Sequence, residues 1–268
     1  NTGNSTLALN ALTPVLSGTI SGAGNLTVDA TGGTVALTGS NTYANTTLSG
    51  GTLKVGNNTS TGTLGSGAVS NQGALVIDRS NAVTISNAIS GSGTLTKLQS
   101  STATLTGANT YSGITTISAG QLQIGAGGST GSLGSGSVVN NATLGFNRSD
   151  DLSVANAISG TGELVQSGSN TLTLTTNNTY SGSTTISAGT LVLQNDAPNP
   201  TSKTFAGAGA LRIESAGASF GSAFSTSGWN FGSTLSGLTL GKVGNTANIT
   251  WASANSVAGP VTIYGGAV

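Results

Sequence analysis

The chain has no cysteine, no methionine and no histidine among its 268 residues, and only 5% of them are charged. Without cysteine there is no disulfide framework, and without Cys or His there is no ordinary zinc site. The missing histidine also removes the commonest general base near neutral pH. Lys plus Arg equals Asp plus Glu at seven each, so nothing in the charge points to nucleic acid or an acidic membrane surface. No apolar run is long enough to span a bilayer, so no membrane insertion of this segment is expected. The chain carries neither a signal peptide nor an initiator Met, and it shows no visible caps. We therefore expect it to be part of something longer. Aromatics are scarce at 4%, which suits a narrow core with little room for rings.

What the chain does contain is one passage repeated three times. Residues 35–56 read VALTGSNTYANTTLSGGTLKVG, 103–125 read ATLTGANTYSGITTISAGQLQIG, and 172–193 read LTLTTNNTYSGSTTISAGTLVL. Tyr43, Tyr111 and Tyr180 recur at an almost constant interval. The flanks recur as well: Leu64-Gly65-Ser66-Gly67 answers Leu133-Gly134-Ser135-Gly136. Self-similarity at a fixed period marks a solenoid or array, and solenoids are scaffolds more often than catalysts.

Within each unit, short runs such as Leu26-Thr27-Val28, Leu53-Lys54-Val55 and Leu75-Val76-Ile77 alternate with the two-residue period of half-buried strands. Gly- and Ser-rich punctuation between them permits turns. A unit of roughly 69 residues is too long for a single coil but suits about three coils of roughly 23 residues. The expected fold is all-β, a right-handed parallel β-helix. About twelve coils at roughly 4.8 Å give a rod on the order of 55 Å. A β-propeller is the structural competitor, but its blades run shorter and no Trp-Asp signature is present. We expect residues 1–195 to form the three-copy region. Residues 196–268, opened by Pro198 and Pro200 and carrying both tryptophans, should continue the same solenoid in degenerate, wider form.

The run Gly93-Thr94-Leu95-Thr96-Lys97, then Leu105-Thr106-Gly107-Ala108-Asn109-Thr110-Tyr111-Ser112-Gly113, then Thr115-Thr116-Ile117-Ser118-Ala119-Gly120 resembles the passenger-associated repeat of bacterial autotransporters. The tail from Leu238 to Gly266 looks like strand repeats of filamentous-haemagglutinin-type surface proteins. The resemblance implies a Gram-negative cell-surface or secreted passenger with a parallel β-helix fold. It also implies an outer-membrane β-barrel exporter as a partner. Two copies depart from the motif, with Val165-Gln166 in place of Thr-Lys and Ala44-Asn45 in place of Ser-Gly. Such repeats identify a stalk and its route; they do not identify a ligand.

No catalytic, metal or cofactor site is expected. Asp150-Asp151 beside Arg148 is the one local acidic cluster, and Asp78-Arg79 holds the equivalent place a unit earlier; a recurring Arg there suggests a rung-to-rung structural role or a solvated turn. No serine has the histidine a triad requires, and the Gly-rich segments lack a phosphate-loop lysine. The calcium nonapeptide of β-rolls is absent. Asn-x-Ser/Thr sequences are no more frequent than this composition produces by chance. Thr pairs recur once per three coils, too sparsely for an ordered ice-binding rank. Asn41, Asn109 and Asn178 share one slot before Tyr and are expected to be structural turn positions, stacking as hydrogen-bonded ladders. Tyr43, Tyr111 and Tyr180 are the expected exposed contacts of an adhesive surface for a host-cell or surface glycan or protein ligand. Two roles follow: a non-enzymatic adhesive stalk, or a filament subunit that self-associates end to end through unpaired strand edges.

Overall fold

The computed structural model describes residues 3–8, 11–194, 203–251 and 256–267. Among them are strands but no helix. The proposed boundary at 195/196, with Pro198 and Pro200, lies outside the described residues. The chain forms two compact units: Asn1–Ala126 with Thr130–Ala142, and Gly127–Ser129 with Thr143–Val268.

In the first unit, strand Ser5–Ala8 lies beside Leu26–Leu37, which lies beside Thr46–Thr59 and then Ala74–Arg79. Strands Thr94–Lys97, Thr115–Ile117 and Val138–Asn140 follow, every pairing parallel. Strands Val83–Ile85, Thr102–Leu105 and Gln121–Ile124 form a second parallel ladder. In the second unit, one ladder runs Thr143–Phe146, Glu163–Gln166, Thr184–Ile186, Thr204–Ala206 and Asn230–Phe231. Another runs from Leu152–Val154 through Thr171–Leu174, Thr190–Gln194, Ala210–Glu214 and Gly237–Leu240 to Val261–Ile263. Parallel partners so close in sequence mean that each circuit of the chain lands on the one before. The fold is a parallel β-solenoid of about twelve turns.

Period-two patterning dictates which side chains go inside. Leu26 and Val28 are buried while Thr27 between them is half-exposed. On the next circuits like stacks on like: Leu53 lies beside Leu75, and Leu75 beside Leu95, all fully buried. Each such side chain contributes about 1.5–3 kcal/mol relative to exposure.

The circuits are shorter than the sequence period suggested. Leu26 pairs with Thr46, Thr46 with Val69 and Val69 with Ile89, so three circuits carry the chain from Leu26 only to Ile89. The counterpart of Leu26 in the next copy is Leu95, six residues beyond Ile89. A repeat is therefore three circuits plus six residues. The coil length expected from the sequence is the upper end of what the repeats show, because glycine-rich corners turn within a short stretch of chain.

Towards the C-terminus the circuits lengthen. The steps from Thr204 to its partner Asn230, and from Ala210 to its partner Gly237, are longer than any of those between Leu26 and Ile89. Rings fill the added width. Phe205 stacks on Phe231 at 5.6 Å and meets Trp229 at a tilt at 5.3 Å, and Phe231 stacks on Trp251 at 5.6 Å.

Candidate functional site

The repeated tyrosines are interior pillars, which corrects the expectation that they are exposed. Tyr43, Tyr111 and Tyr180 are 2%, 0% and 1% exposed, so no ligand can reach them in the folded chain. Each hydroxyl bonds a buried threonine in the strand that follows: Thr46 at 3.0 Å, Thr115 at 2.7 Å and Thr184 at 2.8 Å. Burial raises all three phenols above their ordinary value, Tyr180 to about 12. The Gly65 and Gly134 N–H groups donate to the Tyr43 and Tyr111 hydroxyls. The same glycines let the next circuit lie on the ring. A Cβ at Gly65 would sit 2.5 Å from Tyr43 Cδ2, and one at Gly134 would sit 2.6 Å from Tyr111 Cδ2. The recurring Leu-Gly-Ser-Gly is thus the lid of the tyrosine slot.

The third copy closes this slot differently. Lys203, 6% exposed, places Nζ 3.6 Å from the centre of the Tyr180 ring and donates to the Tyr180 carbonyl at 2.6 Å. Burial pulls its ammonium down to about 8.

The asparagines before each tyrosine tie circuits together. Asn41 Oδ1 accepts the Ile20 N–H at 2.8 Å, Asn109 Oδ1 that of Ile89 at 2.9 Å, and Asn178 Oδ1 that of Ile158 at 2.8 Å. Asn41 and Asn109 also donate to the Thr63 and Ser132 carbonyls on the opposite side, both at 2.7 Å. They do not stack on one another, because three circuits separate them. The ladder of stacked asparagines lies elsewhere: the Asn25 N–H donates to Asn4 Oδ1, the Asn45 N–H to Asn25 Oδ1, and the Ala68 N–H to Asn45 Oδ1.

Lys97 is fully buried, and its ammonium donates to the Leu98, Gln99 and Ala119 carbonyls. Burial lowers its pKa, opposed by the charge of Asp78. The next copy has Gln166 there, whose Nε2 donates to Gly168 O at 3.0 Å and Asn170 Oδ1 at 2.8 Å. Its Oε1 is buried without a hydrogen-bond partner. A slot walled by carbonyls suits a pure donor, and an amide oxygen is the wrong chemistry for it.

The recurring arginines act between circuits, the first of the two roles expected of them. Strand Thr46–Thr59 bulges after Val55 and regains its neighbour at Thr59, opposite Arg79, so that Asn57, Asn58, Ser60 and Thr61 are exposed between buried Gly56 and Gly62. Both glycines have positive φ, 83° and 114°. From the next circuit Arg79, 7% exposed, donates to Gly62 O and Ser60 O, each at 2.5 Å, and its Nε to Asn81 Oδ1. The second copy repeats this: Gly125 and Gly131 are buried, residues 126–130 are exposed, and Arg148 donates to Ser129 O at 2.6 Å. Asp150 pairs with Arg148 at 2.6 Å, and Asp151 accepts the Thr171 N–H at 2.8 Å. Those carboxylates are committed to structure. So is Asp78: burial acts to raise its carboxyl, but Lys54 at 2.5 Å and the Gln99 amide at 2.6 Å hold it below its ordinary value.

The outer face of the first unit carries a rank of hydroxyls that the sequence reading did not find. Thr6, Thr27, Thr47, Ser70 and Ser90 pair side by side on five successive circuits, each exposed or half-exposed.

A sequence profile for the passenger-associated-transport-repeat matches residues 31–55, 95–124 and 164–193. The chain is 40% identical over 183 residues to the adhesin BmaC autotransporter of Brucella suis biovar 1 (strain 1330). That alignment covers 60% of this chain but 5% of the relative. No solved structure matches the chain. The three stretches that match this repeat each hold one of the buried tyrosines, Tyr43, Tyr111 and Tyr180.

Proposed function

We propose that the chain is a non-enzymatic segment of an extracellular adhesive stalk, carried to the surface of a Gram-negative cell through an outer-membrane β-barrel. The observation that carries this reading is the coincidence of passenger-associated-transport-repeats with a parallel solenoid whose first unit ranks the hydroxyls of Thr6, Thr27, Thr47, Ser70 and Ser90 along its outer face. Similarity to an adhesin autotransporter supports it. The lack of histidine and cysteine and the structural commitment of Asp78, Asp150 and Asp151 favour scaffold over catalyst. Adhesion in this reading belongs to the exposed polar faces and not to the tyrosines.

The test is bead adhesion. Beads coated with the purified chain should bind cell monolayers more than beads coated with an unrelated parallel β-solenoid. Equal binding would overturn the adhesive half of the proposal and leave a plain spacer.

A further inference from the structure

The excursion at residues 56–62 is more than a tolerated bulge, and we infer that it is a contact site for uncharged polysaccharide. This inference rests on the adhesive reading and narrows it to one loop and one ligand class.

The frame of the loop is constant between copies while its head is not. Both copies begin at a buried glycine and end in Ser-Thr-Gly, with the serine carbonyl held by an arginine of the next circuit. Between these anchors the first copy has Asn57-Asn58-Thr59 and the second Ala126-Gly127-Gly128. A constant clamp around a changing head is the arrangement by which rigid scaffolds carry binding loops.

The first head is held in one shape. The Asn57 carboxamide oxygen accepts from Lys54 Nζ at 2.9 Å, and the Asn58 N–H donates to the Asp78 carboxylate. Thr59 Oγ1 donates to Thr61 O at 2.9 Å. Asn58 sits at φ 56°, a left-handed conformation that asparagine tolerates better than most side chains. Its counterpart Gly127 has φ 88°. A loop ordered before binding loses less entropy on contact.

The chemistry of the head selects the partner. Exposed Asn57, Asn58, Ser60 and Thr61 present amides and hydroxyls with no apolar ring and no charge. The nearby charges, Lys54 and Asp78, already neutralise each other at 2.5 Å. A neutral polyol can match each amide and hydroxyl with its own donors and acceptors. An anionic glycan would find no cation uncommitted here, and an apolar partner would strand polar groups. One such loop binds weakly, and display of many chains on a surface supplies the avidity.

The second copy supplies its own control. Asn57→Ala, Asn58→Gly and Thr59→Gly together write into the first frame a head that the same fold already carries at 126–128. The experiment measures retention of the whole purified chain on immobilised mannan, dextran and cello-oligosaccharide, with sialylated and sulfated glycans alongside. Retention on at least one neutral glycan, lost in the triple variant with unchanged circular dichroism, is the expected result. The reciprocal Ala126→Asn, Gly127→Asn, Gly128→Thr variant should retain more than wild type. No neutral retention, retention unaffected by the swap, or preference for the anionic glycans would each overturn the inference. Beads that still adhere to cells while the chain holds no neutral glycan would sink the loop site and leave the adhesive reading standing.

Discussion

Replacing Tyr111 by Phe removes one oxygen and tests how the pillars work. That oxygen accepts the Gly134 N–H and bonds Thr115 Oγ1 at 2.7 Å. Thr115 is 1% exposed and Gly134 is buried, so neither group can turn to water instead. Stranding a buried polar group costs about 1–3 kcal/mol, so losing both partners should cost about 3 kcal/mol. Thr115→Val leaves the phenol its Gly134 donor and should cost about 1 kcal/mol. In the double variant the stranded threonine is gone, which makes the pair non-additive by about 1–2 kcal/mol. Solenoids open locally, so the probe must report on the segment that carries the bonds. Native-state hydrogen exchange over residues 111–117 and 133–138 reads the opening free energy where the bonds lie. Additive losses would refute the bond network. So would equal losses in Tyr180→Phe, because the described partners of Tyr180 Oη include Thr184 but no glycine amide.

Two further predictions concern the third copy. Lys203 has its pKa lowered to about 8 from 10.5, so between those values the unfolded chain holds a proton that the folded chain has shed. Stability therefore rises with pH through that window, by about 3 kcal/mol in total. Tyr180, raised to about 12 from 10.0, acts oppositely above pH 10, where the unfolded phenol ionises first. Urea titrations followed by Trp229 and Trp251 fluorescence should show the rise in the wild type and its loss in Lys203→Met. A flat wild-type profile would contradict the burial of the ammonium. Gln166→Lys should stabilise its turn by about 1 kcal/mol by replacing a stranded oxygen with a donor. Faster exchange of residues 163–170 in that variant would show that the slot is not a donor site.

The period of two, the parallel ladders and the three-copy organisation were legible in the sequence, because alternation such as Leu26-Thr27-Val28 is local. The placement of the tyrosines was not. Asn-Thr-Tyr-Ser-Gly reads as a polar surface motif. What buries Tyr111 is Gly134, which lies a full circuit further along the chain and carries no side chain to advertise a contact. The arginine clamp left a usable trace. Gly56, Gly62 and Arg79 recur as Gly125, Gly131 and Arg148 at unchanged spacing, a pattern that a loop held from the next circuit explains. Lys203 left none, because the third copy abandons the Leu-Gly-Ser-Gly lid and only packing shows what replaced it.

The six residues by which a repeat exceeds three circuits act like the offset of a vernier scale. Thr46 and Thr115 are equivalents in sequence, yet they stand in different columns of the same ladder. The column of Thr46 climbs through Val69 to Ile89, while that of Thr115 runs back through Leu95 to Leu75. Duplicating a copy therefore does not extend a flat rank of identical side chains along one side. It advances the pattern around the circumference by something over a quarter of a circuit. A gene that gains or loses a copy changes the bearing at which each motif faces outward. The first two copies thus turn equivalent motifs to different bearings instead of building one sticky face.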